Sequence, residues 1–246
     1  MYTYKVNQNG IIYDITFPDV SKKTLIILLP GLPEYPLPKQ LMLDLANAGY
    51  FVIYPRYRGT FESDGEFLSR SPAYDILELL TFLEKTKKIT ELYSPSEKLI
   101  EFSKVVVLGP SFGGSVALHL SQLTEKISKY LVFAPVLDFK SHGNIQSEQD
   151  LKNLLRFLEQ GYKNVYRFKK ENFYKLLKGE ILPSAFDNKI DSSKIVLIHG
   201  NKDPSVSFQN SKKFAELSGC KFVEVEGGHL SFSKIPISLI LSLLEK

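Results

Sequence analysis

Apolar residues follow two rhythms along this chain. Continuous runs rich in β-branched side chains recur at residues 24–29, 51–54, 104–108, 130–133, 195–199 and 220–225. A run that is apolar at successive positions predicts a strand covered on both faces, as in a parallel sheet between helix layers. Helical spacing fills the gaps. Ile76, Leu79, Leu80 and Leu83 keep the i, i+3, i+4, i+7 pattern after Ser71 as cap and Pro72 at the first helical position. Ile237, Ile240, Leu241 and Leu244 repeat it after Pro236, and Leu41, Leu45 and Ala48 form a shorter stripe closed by Gly49. This alternation predicts a mostly parallel, doubly wound α/β sheet with right-handed crossovers. At the start, alternating segments 2–6 and 11–17 flank Asn9-Gly10, which tolerates the positive φ of a tight hairpin and predicts antiparallel strands at one edge.

One stretch breaks the rhythm. Residues 139–191 separate two predicted strands by far more than a crossover needs, with helical patterns of their own near 151–158 and 173–177. We read 1–246 as a single domain carrying a cap insertion at about 139–191. The insert holds ten Lys or Arg, seven Asp or Glu and eight aromatics, so it is slightly basic and suited to covering an apolar pocket.

Composition narrows the function. The formal charge is +4, spread without a basic stripe, so nucleic-acid binding is not expected. One cysteine, Cys220, leaves no intrachain disulfide and no cysteine-based zinc cluster, and four histidines leave little for a metal site. The first residues lack a secretory pattern, and apolar runs fall short of the roughly 18 residues that span a bilayer. The expectation is a cytoplasmic protein with no membrane partner, no cofactor and no metal; the oligomeric state stays open.

The chemistry gathers at Gly109-Pro110-Ser111-Phe112-Gly113. A buried-strand run precedes it and a helical stretch follows, the setting in which a serine on a sharp turn is lifted clear of a sheet and needs small residues two positions either side. A serine hydroxyl attacks a carbonyl only when a base takes its proton and an acid orients that base. Asp203 follows the strand at 195–199, and His229 follows the strand at 221–225 through two glycines, so each comes after a strand's C-terminal end. Asp138 is the rival acid. His119 on the helix after the serine and His199 at a strand end read as structural, while His142 opens the insert. For the oxyanion, Phe112 offers one backbone N–H. The proline-rich loop 30–38 offers Gly31 or Leu32, of which Leu32 is preferred; Tyr35 is a further, weaker donor. Arg56 and Arg58 beside Glu62 and Asp64 read as ion pairs that brace a loop, and Cys220 as a small buried hydrophobe.

With these residues in hand the chain resembles the α/β-hydrolase superfamily over nearly its whole length outside the insert. Pro55-Arg56-Tyr57-Arg58-Gly59 with Ser63-Asp64-Gly65, His199-Gly200-x-x-Asp203 and Gly228-His229 are similar to motifs of dienelactone-hydrolase-like and prolyl-oligopeptidase-type catalytic domains. The early loop carries Pro30-Gly31 where many of that group have His-Gly, and no propeller domain is expected. Residues and resemblance together imply a serine hydrolase, a carboxylesterase acting on a small to medium apolar or aromatic ester through an acyl-enzyme. In that reading Ser111, Asp203 and His229 are catalytic, with Leu32 and Phe112 at the oxyanion. A peptidase or amidase, or a thioesterase, would use the same three groups; a non-catalytic binding protein with an idle site is the alternative from another class.

Overall fold

The computed structural model describes residues 2–34, 37–142, 148–187 and 190–245, with backbone alone for 141–142 and 148–152. The chain runs β1 Thr3–Gln8, β2 Ile11–Thr16, β3 Thr24–Leu28, α1 Lys39–Asn47, β4 Phe51–Pro55, α2 Ala73–Thr86, β5 Lys88–Thr90, β6 Glu97–Leu99 and β7 Lys104–Pro110. It continues through α3 Phe112–Leu123, β8 Lys129–Phe133, α4 Phe139–His142, α5 Glu148–Gly161, α6 Lys170–Leu177, β9 Ile195–Gly200, α7 Phe208–Ser218, β10 Lys221–Val225 and α8 Ile237–Leu244.

Eight strands form one sheet in the order β1-β2-β4-β3-β7-β8-β9-β10. The links β1–β2 and β2–β4 are antiparallel, and every link from β4 to β10 is parallel. Asn9 and Gly10 take φ of 50° and 81°, the handedness that a two-residue hairpin turn requires. Along each central strand the period of two sorts side chains into two cores. Leu25, Ile27, Val105 and Val107 pack beneath α2, α3 and α7, whereas Ile26, Leu28, Val106 and Leu108 pack against α1 and α8. That is why these strands read as unbroken apolar runs.

Two local expectations change. Helix α2 is assigned from Ala73 with Pro72 as its cap residue, one position later than the sequence pattern placed it; Ser71 Oγ still accepts the Ala73 N–H at 3.3 Å, as a cap does, and also meets His119 Nδ1 at 2.8 Å. The hairpin of β5 and β6 was not foreseen, because three-residue strands bearing Lys and Glu leave no alternating apolar signal.

The insert is continuous with the first core. Phe139, Leu158, Phe173 and Leu176 are buried in the same cluster as Phe112 and Phe67. It is also stitched to the loop after β4: Phe61 N–H donates to Val165 O (2.7 Å), Phe67 N–H to Arg167 O (2.7 Å) and Arg167 N–H to Gly59 O (2.8 Å). Gly59 has φ of +75°, and a Cβ there would stand 2.0 Å from Phe67 N, so only glycine permits this stitch.

Candidate active site

The order of β4, β3 and β7 places a switch between β3 and β7: the chain leaves β3 toward one side for β4 and later returns to the other side for β7. Loops leaving the carboxyl ends of such a pair diverge and open a crevice. The 30–34 loop and Ser111 both stand there.

Ser111 takes φ of 51° and ψ of −121° between β7 and α3, a conformation that L residues adopt only under constraint. The constraint is visible. Its N–H donates to Phe133 O at 2.8 Å, and α3 packs so close that a Cβ on Gly113 would lie 2.3 Å from Leu29 O and one on Gly109 2.3 Å from Gly113 O. Phe112 starts α3, so its N–H belongs to the first turn, where helix geometry supplies no partner.

Asp203 and His229 reach the crevice on two loops zipped together: Asn201 N–H donates to Val225 O (3.0 Å) and Lys202 N–H to Gly227 O (2.8 Å). Gly200 permits this approach, since a Cβ there would meet Gly228 O at 2.3 Å. Asp203 Oδ2 accepts from His229 Nδ1 at 2.7 Å. The same oxygen accepts from His199 Nε2 at 3.1 Å, while Oδ1 accepts the N–H groups of Ser205 (2.8 Å) and Val206 (3.0 Å). Burial alone would raise the carboxyl's pKa, but the hydrogen bonds from His199, His229 and Val206 outweigh it and hold the group far below the usual carboxylate range. A carboxylate only accepts, so both imidazoles present N–H to it, and His229 has Nε2 left for a partner.

Ser111, His229, Leu32 and Phe112 all line one cavity of about 360 Å³. Its far wall is apolar and comes largely from the insert, through Phe139, Leu154, Phe173, Leu176 and Leu177. On the near side Gly31 N–H donates to Glu34 Oε2 at 3.2 Å, which engages one of the two early donors; Leu32 N–H has no partner among the described residues. The loop is clamped at both ends: Tyr57 donates its hydroxyl to Pro30 O (3.1 Å), and Glu34 N–H donates to Tyr166 Oη (3.1 Å). Burial pushes both phenols well up, so they stay protonated.

The remaining sequence candidates fall elsewhere. Asp138 Oδ1 accepts from Lys140 N–H at 3.0 Å, whereas His229 Nδ1 meets Asp203. His119 is paired with Ser71, and burial lowers its pKa. Cys220 is buried just before β10. Arg56 does pair with Glu62 (2.7 Å), but its buried partner is Asp14 on β2 (2.5 Å), and Arg58 pairs with Asp75 and Glu78, not with Asp64. Tyr35 and the side chain of His142 lie outside the described residues. Sequence reasoning missed Glu34, Tyr57 and Tyr166 as parts of this site. Tyr57 sits inside a motif it had singled out, whereas Tyr166 carried no signal.

No family model and no curated protein matches the chain. Solved structures do. An esterase of Pyrococcus furiosus superposes with a TM-score of 0.71 at 16% identity, covering 99% of this chain and 89% of that one. An esterase of Butyrivibrio proteoclasticus with ferulic acid bound gives 0.65 at 15%, covering 98% and 96%. The chain has the α/β-hydrolase fold. A third match, the Pyrococcus horikoshii acylaminoacyl peptidase, gives 0.66 at 15% identity and is longer: this chain covers 40% of it. Among the described residues no helix is long and apolar enough to cross a membrane.

Proposed function

We propose that the protein is a serine hydrolase that cleaves carboxylic esters of small to medium apolar or aromatic substrates through an acyl-enzyme. The observation that carries this is the 2.7 Å bond between His229 Nδ1 and Asp203 Oδ2, on the wall of the cavity that also receives the strained Ser111. The bond fixes the imidazole with Nε2 as its basic nitrogen. Ser111 loses its proton to Nε2 and attacks the carbonyl carbon; the imidazolium then protonates the departing alcohol, and water repeats the sequence on the acyl-enzyme. Asp203 stays ionised throughout and stabilises the imidazolium. The N–H groups of Phe112 and Leu32 take the oxyanion, where losing one such donor typically costs about 10² to 10³ in kcat.

The insert acts as a cap that shapes the acyl pocket. A cavity of about 360 Å³ sits at the lower end of the roughly 300–1,000 Å³ range of small-molecule sites, which suits a compact acyl group. The test is a panel of activated esters, thioesters and peptide amides run beside Ser111→Ala, with fluorophosphonate labelling of both proteins. The reading expects esters to be turned over best, labelling of the wild type alone, and a fall in kcat of about 10⁴- to 10⁶-fold in the variant. Wild-type protein that resists the probe, or a variant that keeps its activity, would sink it.

A further inference from the structure

An ester has two halves, and the wall built by the insert accounts for one of them. At the tetrahedral centre the serine oxygen, the oxyanion, the acyl carbon and the alcohol oxygen point four different ways. The alcohol oxygen must lie within hydrogen-bond reach of His229 Nε2, which protonates it, so the alcohol's body leaves along the loop that carries His229. A second cavity, of about 500 Å³, continues along that loop. Its walls are the next residues of the two segments that enclose the first. The first cavity takes residues 31–34 from one segment and 229–231 from the other; the second takes Glu34 and 37–41 from one, and 232, 233, 235 and 237 from the other. Glu34 lines both, so the two cavities meet there.

The base of this second cavity is apolar. Leu41, Phe232 and Ile235 belong to the second core, and Leu37 and Ile237 pack against it. Polar groups sit at the rim, where the exposed Gln40 donates from Nε2 to Asp44 Oδ1 at 2.8 Å. Helices α1 and α8 start there, at Lys39 and Ile237. We propose that this second cavity receives the alcohol half of the substrate, so that the site takes esters whose leaving alcohol has an apolar body larger than the acyl group. This rests on the serine-hydrolase reading and names its leaving-group class. Each methylene buried from water there is worth about fourfold in binding. The preference belongs to kcat/KM, which covers the steps through acylation; once the alcohol has left, the acyl-enzyme is the same for every ester of one acid.

The experiment compares methyl, hexyl and 2-(2-naphthyl)ethyl butyrates, whose alcohols have similar acidity, on the wild type, on Gln40→Trp and on Ile237→Trp. Either indole would fill the second cavity. In the wild type the hexyl and naphthylethyl esters should exceed the methyl ester by 10- to 100-fold in kcat/KM. In each variant that ratio should fall to within about threefold. The ratio is taken within one protein, so a change in the folded fraction cancels. Turnover of the butyrates with no preference for the larger alcohols, or a preference that survives in both variants, overturns the proposal and leaves the serine-hydrolase reading standing. Failure of the wild type to turn over any of the three, with Ser111 unlabelled by fluorophosphonate, overturns both.

Discussion

His199 offers the sharpest separation of folding from chemistry in this site. Its imidazole is fully buried, edge-on to Phe208 with centroids 5.8 Å apart. Nε2 donates to Asp203 Oδ2 at 3.1 Å, which leaves Nδ1 to accept the Ser211 hydroxyl at 2.7 Å. An asparagine amide occupies the level of Nδ1 and a glutamine amide that of Nε2. His199→Asn therefore keeps the serine and abandons the carboxylate, and His199→Gln does the reverse. A hydrogen bond to a charged group contributes about 1.5–3 kcal/mol and a neutral one about 1 kcal/mol, with a further penalty of about 1–3 kcal/mol when a buried partner is stranded. His199→Asn is expected to lose about 3–5 kcal/mol, and His199→Gln about 2–3 kcal/mol, measured by urea unfolding at pH 7. Activity should change less, because Ser205 and Val206 still hold Oδ1 of Asp203: kcat/KM falls about tenfold or less, against about 10⁴ for Asp203→Asn.

The pH dependence has a definite sign. The folded-state pKa of Asp203 is depressed, so its contribution to stability is complete above the unfolded value near ~3.9 and is lost as pH falls through the lower folded value. Removing the His199 donor lessens the depression, so the acid-unfolding midpoint of His199→Asn should move to higher pH, while His199→Gln stays near the wild type. Equal acid midpoints for all three proteins, or His199→Gln the less stable of the two, would refute the reasoning.

Two other substitutions probe the elbow and the insert. In Gly113→Ala the new Cβ would be 2.3 Å from Leu29 O and 2.8 Å from Pro30 O, both backbone atoms, so α3 must shift away from β3; a loss of about 3 kcal/mol in urea unfolding and at least about 10²-fold in kcat should appear together. Loss of stability with full activity would show that the oxyanion donors do not depend on that approach. Phe173→Ala removes a buried ring that both packs in the first core and lines the cavity; it should cost about 3–5 kcal/mol and shift ester preference toward bulkier acyl groups. A detachable lid would show the second effect without the first.

Much of this architecture is written locally. Strands β3, β7 and β9 are apolar at successive positions because both of their faces are covered, and Gly109 is demanded by the backbone of Gly113 four residues on, although Gly113 itself answers to Leu29 O, just past the end of the neighbouring strand β3. Such constraints act through strand period, helix spacing and Cβ volume, which sequence displays directly. The order of Ser111, Asp203 and His229 was legible for the same reason, since each follows a strand end. What surrounds them was not. That Tyr57 and Tyr166 clamp the 30–34 loop, that His199 shares the carboxylate oxygen with His229, and that Glu34 faces the cavity are contacts between segments whose mutual distance is set by the sheet order and by the seating of the insert. Strand order depends on which long loops close over which face. Those energies are summed over the whole core, and no short window of residues carries them.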